Sequence, residues 1–258
     1  MEGASLMNPI PVYSKEYEID VSHVDFMGKL KLSSLFLYFQ DVATVHAEKL
    51  GIGMKQMQKM HNALWVLARI RVHIERYPLW GENITVETWY EKPRKVEITR
   101  NFLLKDIQGN ILASAVSTWV VIDMDTRKLK RIDSVFSPHP DETRKRPIDC
   151  SLGRFQPNGP LERVYKRIVG YSDIDVNEHL NNSRYIDFIM DCFGIEYHKN
   201  YSVESIEIDY KNEAFAGDTI TLFKTNPKDG SNVIYVEGVN EESNQLIFKC
   251  QLQVTPDR

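Results

Sequence analysis

The chain reads twice. When residue n is set against residue n+150, HVDFMGKLKLSSLFLYFQD (23–41) lies over DIDVNEHLNNSRYIDFIMD (173–191). Asp25 meets Asp175, Leu30 meets Leu180, Tyr38 meets Phe188 and Asp41 meets Asp191. Further on, WGENITV (80–86) resembles AGDTITL (216–222). Identity between the copies is low, but their elements follow in the same order, which marks an internal duplication. A chain built this way must fold as two versions of one unit.

The periodicities define that unit. In 32–50, Leu32, Leu35, Phe36, Phe39, Val42, Ala43, His46, Ala47 and Leu50 recur at steps of three and four. They predict an amphipathic helix with one broad apolar face. Ser33 or Ser34 can cap its start, and Gly51 follows its end. From residue 64 the period drops to two. Val66, Ala68, Ile70, Val72 and Ile74 alternate with Leu67, Arg69, Arg71 and His73, as in a half-buried strand. Strands follow at 84–90, 96–105 and 111–122, with a hairpin turn over 106–110.

Between Ser134 and Pro160 the pattern stops. Five of the eleven prolines fall there, which reads as a linker. Then a strand (163–171), a helix (182–193) and strands near 203–211, 218–225, 232–239 and 245–254 repeat the order. KDGS at 228–231 marks a turn. In VESIEIDYK, Ile206, Ile208 and Tyr210 alternate with Glu207, Asp209 and Lys211. Each unit is a strand, a turn, a long helix and an antiparallel sheet that can curl over the helix. The expected class is α+β, divided into residues 1–133, a linker at 134–160, and residues 161–258.

Bulk properties exclude several functions. Of the 258 residues, 42% are hydrophobic and 26% charged, with a net charge of −4. That suits a packed globular chain and argues against a dedicated nucleic-acid binder. No run of about 18 apolar residues is present to span a membrane. The opening MEGASLMNPIPVYSKEYEID has no basic stretch before an apolar core, so no secretory leader is read there. Cys150, Cys192 and Cys250 are far apart and show no metal-ligand spacing. A reduced, cytoplasmic setting is the simplest reading. No cofactor or metal is implied.

The polar run DIDVNEHLNN (173–182) carries the chemistry, if any segment does. Asp175, Asn177 and His179 are spaced by two and in an extended turn would point to one side. A helix start follows, with Asn181 or Asn182 as its cap and free N–H groups that could steady an oxyanion. On spacing alone the run could equally be a capped, solvated turn. His46, on an apolar helix face, reads as a hydrogen-bonded core histidine. Trp65, Trp80, Trp89 and Trp119 read as core or as the lining of a slot. The basic clusters around Lys92–Lys95, Arg127–Arg131 and Arg144–Arg146 read as solvated faces or as a patch that steers an acidic partner.

SDIDVNEHLNNSRYIDFIMD resembles the catalytic-loop segment of the acyl-acyl carrier protein thioesterases of plants and bacteria. The shared pattern places Asp175, Asn177, His179, Leu180, Asn181 and Asn182. IEIDYKNEAFAGD is similar to a second family segment and puts Glu213 at the family's catalytic glutamate; taken alone, Glu213 could be a surface carboxylate at a strand end. The run YEIDVSHVDFMGKLKLSSLFLYFQDVATVHAEKLGIG also fits bacterial members, and the resemblance covers roughly residues 12–254.

The resemblance implies a tandem (double) hotdog fold, each half a long helix wrapped by an antiparallel sheet. It implies hydrolysis of a fatty acyl thioester on an acyl carrier protein, with Asp175, Asn177, His179 and Glu213 as the catalytic set. Many plant members carry a cysteine after the glutamate. Here Ala214 stands there, which points to a water nucleophile.

His179 and Glu213 would share the proton, either one being the base, while Asn177 polarises the carbonyl and Asp175 orients the loop. In the first copy the counterparts are Asp25, Met27, Lys29 and Tyr77, so that half is expected to be chemically silent and to supply the acyl slot. Acyl-coenzyme A hydrolysis, a hotdog hydratase or dehydratase, and a non-catalytic acyl-binding regulator are the alternatives. Chain length preference and oligomeric state, a homodimer included, are left open.

Overall fold

The computed structural model describes residues 11–135, 144–150, 152–226 and 231–257. Each of the two long repeats forms the same motif. In the first, β1 (Val12–Glu18) leads through a 3-10 turn to α1 (Leu32–Lys49) and a short α2 (Met54–His61). Then come β2 (Ala63–Ile74), β3 (Asn83–Tyr90), β4 (Glu97–Asp106), β5 (Ile111–Asp123) and a two-residue β6 (Leu129–Lys130). In the second, β7 (Leu161–Ile168) leads through a matching turn to α3 (Arg184–Met190) and α4 (Ile195–Asn200). β8 (Tyr201–Tyr210), β9 (Thr219–Thr225), β10 (Val233–Asn240) and β11 (Leu246–Pro256) complete it.

All strand pairings are antiparallel, in the order β1-β3-β4-β5-β2-β8-β11-β10-β9-β7, with β6 on β5. One continuous sheet therefore wraps both helices, and β2 and β8 join its halves. α1 and α3 pack against each other inside it. Phe39, Val42, Ile70, Val72, Phe188, Ile206 and Ile208 belong to a single core shared by the two halves. This is the tandem hotdog arrangement. Among the described residues no helix is long and apolar enough to cross a membrane.

The structure corrects several local expectations. Lys31, not Ser33 or Ser34, precedes α1, and no side chain caps it; both serines are buried within the first turn. The broad apolar face of α1 is wide enough to cover them. The alternation in β2 breaks at a bulge between Leu67 and Arg69. Leu67 and Ile70 are therefore both buried, while Val66 is only half-buried. An extra residue in one strand shifts the faces by one, as bulges do. The second helix is seven residues long rather than twelve, and Gly194 starts α4 instead of only closing α3.

β8 departs most. Glu207 and Asp209 are buried along with Ile206 and Ile208. They lie on the outer face, where Arg69 pairs with Asp209 at 3.1 Å and Arg71 with Glu207 at 3.8 Å. The stretch expected as a linker is laid over them where it is described. The Arg69 guanidinium donates to the Leu152 carbonyl at 2.8 Å, and Arg146 donates to the Cys150 carbonyl at 2.9 Å. Burial raises the Glu207 carboxyl, with both arginines opposing the shift. Pro138, Pro140 and most of the 228–231 turn lie outside the described residues.

Candidate active site

Residues 175–179 form a tight turn rather than an extended run. The Asp175 N–H donates to the His179 carbonyl, and the Glu178 N–H to the Asp175 carbonyl, both at 3.0 Å. Ile174 and Leu180 bridge its base. The Asp175 carboxylate folds inward to accept the Asn177 N–H at 2.8 Å. Glu178 sits at φ +65°. Closure of the turn puts Asp175 and His179 opposite each other and Asn177 at the exposed tip.

A second segment is tied to this turn by the Leu180 N–H, which donates to the Ala214 carbonyl at 2.8 Å. That bond sets Glu213 beside His179. Glu213 lies in the loop after β8, not on the strand, because the strand ends where the chain turns to meet Leu180. The imidazole then stands between two carboxylates. Its Nδ1 is 3.8 Å from Asp175 Oδ1, and its Nε2 is 3.5 Å from Glu213 Oε1. Both separations exceed an ordinary hydrogen bond. The Asp175 side chain is 11% exposed, His179 25% and Glu213 33%. The site is a half-open mouth rather than a sealed chamber.

Three of the four expected residues thus converge. Asn177 is carried on the same turn, and its side chain makes no hydrogen bond among the described residues. At the helix start, two of the backbone N–H groups are turned back onto Asn181. Ser183 is the N-cap of α3 and makes no side-chain cap bond; Asn181 Oδ1 accepts from the Ser183 N–H at 2.9 Å and from the Ser183 hydroxyl at 2.8 Å. The Arg184 N–H goes to the Asn181 carbonyl. These donors are already occupied.

No thiol is poised for attack. Burial pushes Cys192 up to about 12 and Cys250 well above the thiol range. Cys150 is also raised by burial, and it lies on the far face of the sheet among Arg71, Arg146 and Glu207.

One neighbour was not singled out from the sequence. Arg127, in the β5–β6 turn of the first half, forms an ion pair with Glu213 Oε1. It had been grouped with a basic cluster. The other arginines in those clusters are all paired as well: Arg94 with Glu97, Arg131 with Asp133, Arg144 with Glu87 and Arg146 with Glu91. The signal that could have marked Arg127 is its place in DMDTRK, at a turn position that favours glycine.

The duplicate turn has the same backbone. The Asp25 N–H donates to the Lys29 carbonyl at 2.8 Å, the Gly28 N–H to the Asp25 carbonyl at 3.0 Å, and the Leu30 N–H to the Pro78 carbonyl at 2.8 Å. Pro78 therefore matches Ala214, and Tyr77 matches Glu213. Tyr77 donates to the Val203 carbonyl at 2.9 Å, and Lys29 grips the Asp257 carboxylate at 2.5 and 2.6 Å.

Two cavities follow this symmetry. One of about 20 Å³ is lined by Phe36, Phe39, Leu67, Trp119, Asn182 and Ser183. The other, on the Lys29 side, measures about 250 Å³ and includes Tyr77, Met190 and Ile195. Of the four tryptophans, Trp119 lines the narrow cavity, Trp89 is fully buried and Trp80 is exposed. His46 is a core residue, bonded to Arg100 at 3.0 Å.

Comparison with known proteins agrees with this architecture. The model for the acyl-ACP thioesterase N-terminal domain matches residues 11–137, and that for the C-terminal domain matches 162–257. Oleoyl-acyl carrier protein thioesterase 1 of Arabidopsis thaliana is 26% identical over 72% of the chain and 56% of its own length. The acyl-[acyl-carrier-protein] hydrolase FATB2 of Cuphea viscosissima is 28% identical over 78% of the chain and 52% of its own length. The chain thus spans little more than half of these relatives.

Among solved structures, an acyl-ACP thioesterase from Bacteroides thetaiotaomicron superposes with a TM-score of 0.78 at 27% identity, covering 95% of this chain and 98% of that one. The 12:0-ACP thioesterase of Umbellularia californica shares the fold, with a TM-score of 0.76 at 19% identity and coverage of 95% and 94%. With both family models matched in order along one chain, the protein belongs to the acyl-ACP thioesterase family.

Proposed function

We propose that the protein hydrolyses the thioester of a fatty acyl-acyl carrier protein, giving a free fatty acid and the carrier thiol. The observation that carries this reading is the His179 imidazole held between Asp175 and Glu213, with no thiol beside it. A water between Glu213 and His179 gives its proton to that pair as its oxygen attacks the thioester carbon. The carbonyl oxygen takes on negative charge, and the Asn177 amide donates to it, a contribution of about 10²–10³ in rate. The C–S bond then breaks, and the leaving thiolate takes the proton back from His179. Asp175, held by the Asn177 N–H, fixes the orientation of the ring.

The first half contributes most of the walls of the narrow cavity, which fits a role in holding the acyl chain. At about 20 Å³ that cavity must widen as the chain enters. Three unpaired cysteines suit a reducing compartment such as the cytoplasm.

A thiol-release assay tests the reading. The protein is incubated with carrier proteins bearing acyl chains of several lengths, and with acyl-coenzyme A and an enoyl thioester. Release of carrier thiol that vanishes in His179→Ala and Glu213→Ala, with folding intact, supports it. Preferred turnover of the coenzyme A ester would change the carrier, hydration of the enoyl chain would change the reaction, and binding without turnover would remove the enzyme.

A further inference from the structure

Arg127 stands in a conformation that its residue type disfavours. Three hairpin turns share one design, in which an Asp or Asn at the first position accepts backbone N–H groups through its side chain. They begin at Asp106, Asp123 and Asn240. In each, the residue just before the closing partner is left-handed: Gly109 at φ +85°, Arg127 at +57° and Asn244 at +55°. Gly and Asn are the residues that tolerate this region. Arginine is not, and a non-glycine outlier of this kind marks a site where strain is retained for a purpose.

The purpose is visible at the other end of the side chain. The guanidinium crosses from the first half to Glu213 Oε1, the same oxygen that faces His179 Nε2 at 3.5 Å. Glu213 Oε2 accepts no hydrogen bond among the described residues. The turn that aims Arg127 is itself braced. Asp123 accepts the Arg127 N–H at 3.0 Å through its carbonyl, the Thr126 N–H at 2.9 Å through Oδ1 and the Lys130 ammonium at 2.9 Å through Oδ2.

We propose that Arg127 is a positioning residue for Glu213, holding one carboxylate oxygen so that the other meets the water at a fixed angle beside His179. The inference rests on the hydrolase reading above. It makes the catalytic centre a joint product of both halves, since the half without catalytic groups supplies the brace. A carboxylate on a loop, one-third exposed, would otherwise sample several rotamers. Reaction rates are sensitive to misplacement on the scale of 1 Å.

The test uses the full chain and two thioesters: an acyl-carrier protein, and a short acyl N-acetylcysteamine ester that has neither phosphate nor protein. Arg127→Gly removes the guanidinium and relieves the backbone strain together. The expected result is a fall in kcat of about 10- to 100-fold on both substrates, with KM unchanged and Tm unchanged or higher. Arg127→Lys, which restores a cation, should recover part of the loss.

Unchanged kcat in Arg127→Gly overturns the proposal. A loss confined to KM on the carrier-bound substrate also overturns it and makes Arg127 a docking cation. A drop in kcat that tracks a drop in Tm reduces the residue to a structural one. If the wild-type chain turns over neither thioester, the hydrolase reading fails first and this inference falls with it.

Discussion

If Glu213 and His179 act as one proton-handling unit, their removal must be non-additive. The perturbation is a cycle of Glu213→Gln, His179→Ala and the double variant. Each single change removes a general acid–base group, for which a loss of about 10³ in kcat is the central figure. That is about 4.1 kcal/mol at 1.36 kcal/mol per decade. Independent groups would lose about 10⁶ together, whereas a coupled pair would lose little beyond 10³.

The fold should hardly notice. The two side chains are 25% and 33% exposed and 3.5 Å apart, so their interaction contributes at most about 1 kcal/mol. For a chain of this size that moves Tm by roughly 2–4 °C. The assay is carrier-thiol release under saturating substrate, read beside thermal unfolding of each variant. A double variant near 10⁶ would show that the groups act on separate steps and would refute the shared-water geometry. Tm losses of 10 °C or more, well beyond this scale, would mean that the site residues support the fold instead.

Other outcomes follow from the same coordinates. Alkylation of Cys150 should leave hydrolysis unchanged, because the thiol lies across the sheet from His179; loss of activity on labelling, located by mass spectrometry, would revive a thiol nucleophile. Asp257 is held below the usual carboxylate range by hydrogen bonds from Lys29 and then Ser202. Its contribution to stability is therefore present above the unfolded value of about 3.9 and lost as pH falls through the lower folded value. The Tm gap between wild type and Asp257→Asn should shrink below about pH 4, and a gap that widens on acidification would contradict the assignment. At Gly238, an added Cβ would sit 2.3 Å from the ring of Phe248, which is fully buried. Gly238→Ala should cost about 1–3 kcal/mol, measured by denaturant unfolding.

The parts of the structure legible in the sequence were those governed by local periodicity. The face of α1 and the alternation in β8 follow from spacings of 3.6 and 2, and the two copies reinforced each other. Failures came where a distant partner decides. The bulge at Ala68 reverses the faces of β2 and has no compositional marker. Glu207 and Asp209 alternate like solvent-facing residues, yet a proline-rich segment far upstream covers them. Asp175 and His179 were legible because they share one turn. Arg127 was not, since its relation to Glu213 spans 86 positions and exists only after both halves have closed.

The two turns share most of their backbone hydrogen bonds but differ in the side chains they carry. Each turn is met by a charged side chain from a segment that follows the other half's last long strand. At the 175–179 turn that segment follows β5, and its Arg127 meets the Glu213 carboxylate. At the 25–29 turn it follows β11, and its Asp257 meets the Lys29 ammonium. The polarity of the cross-half pair is reversed. In the first case a cation holds the carboxylate through the oxygen that faces the imidazole and leaves the other oxygen open. In the second a carboxylate takes up the ammonium with both of its oxygens, and the neighbouring phenol is spent on the Val203 carbonyl. The Lys29 ammonium has no lone pair with which to take a proton from water. Lys29→His would not by itself restore function there, because Asp257 would then face an imidazole with no Glu213 equivalent behind it. Each cross-half pair thus couples a side chain of one half to the turn region of the other.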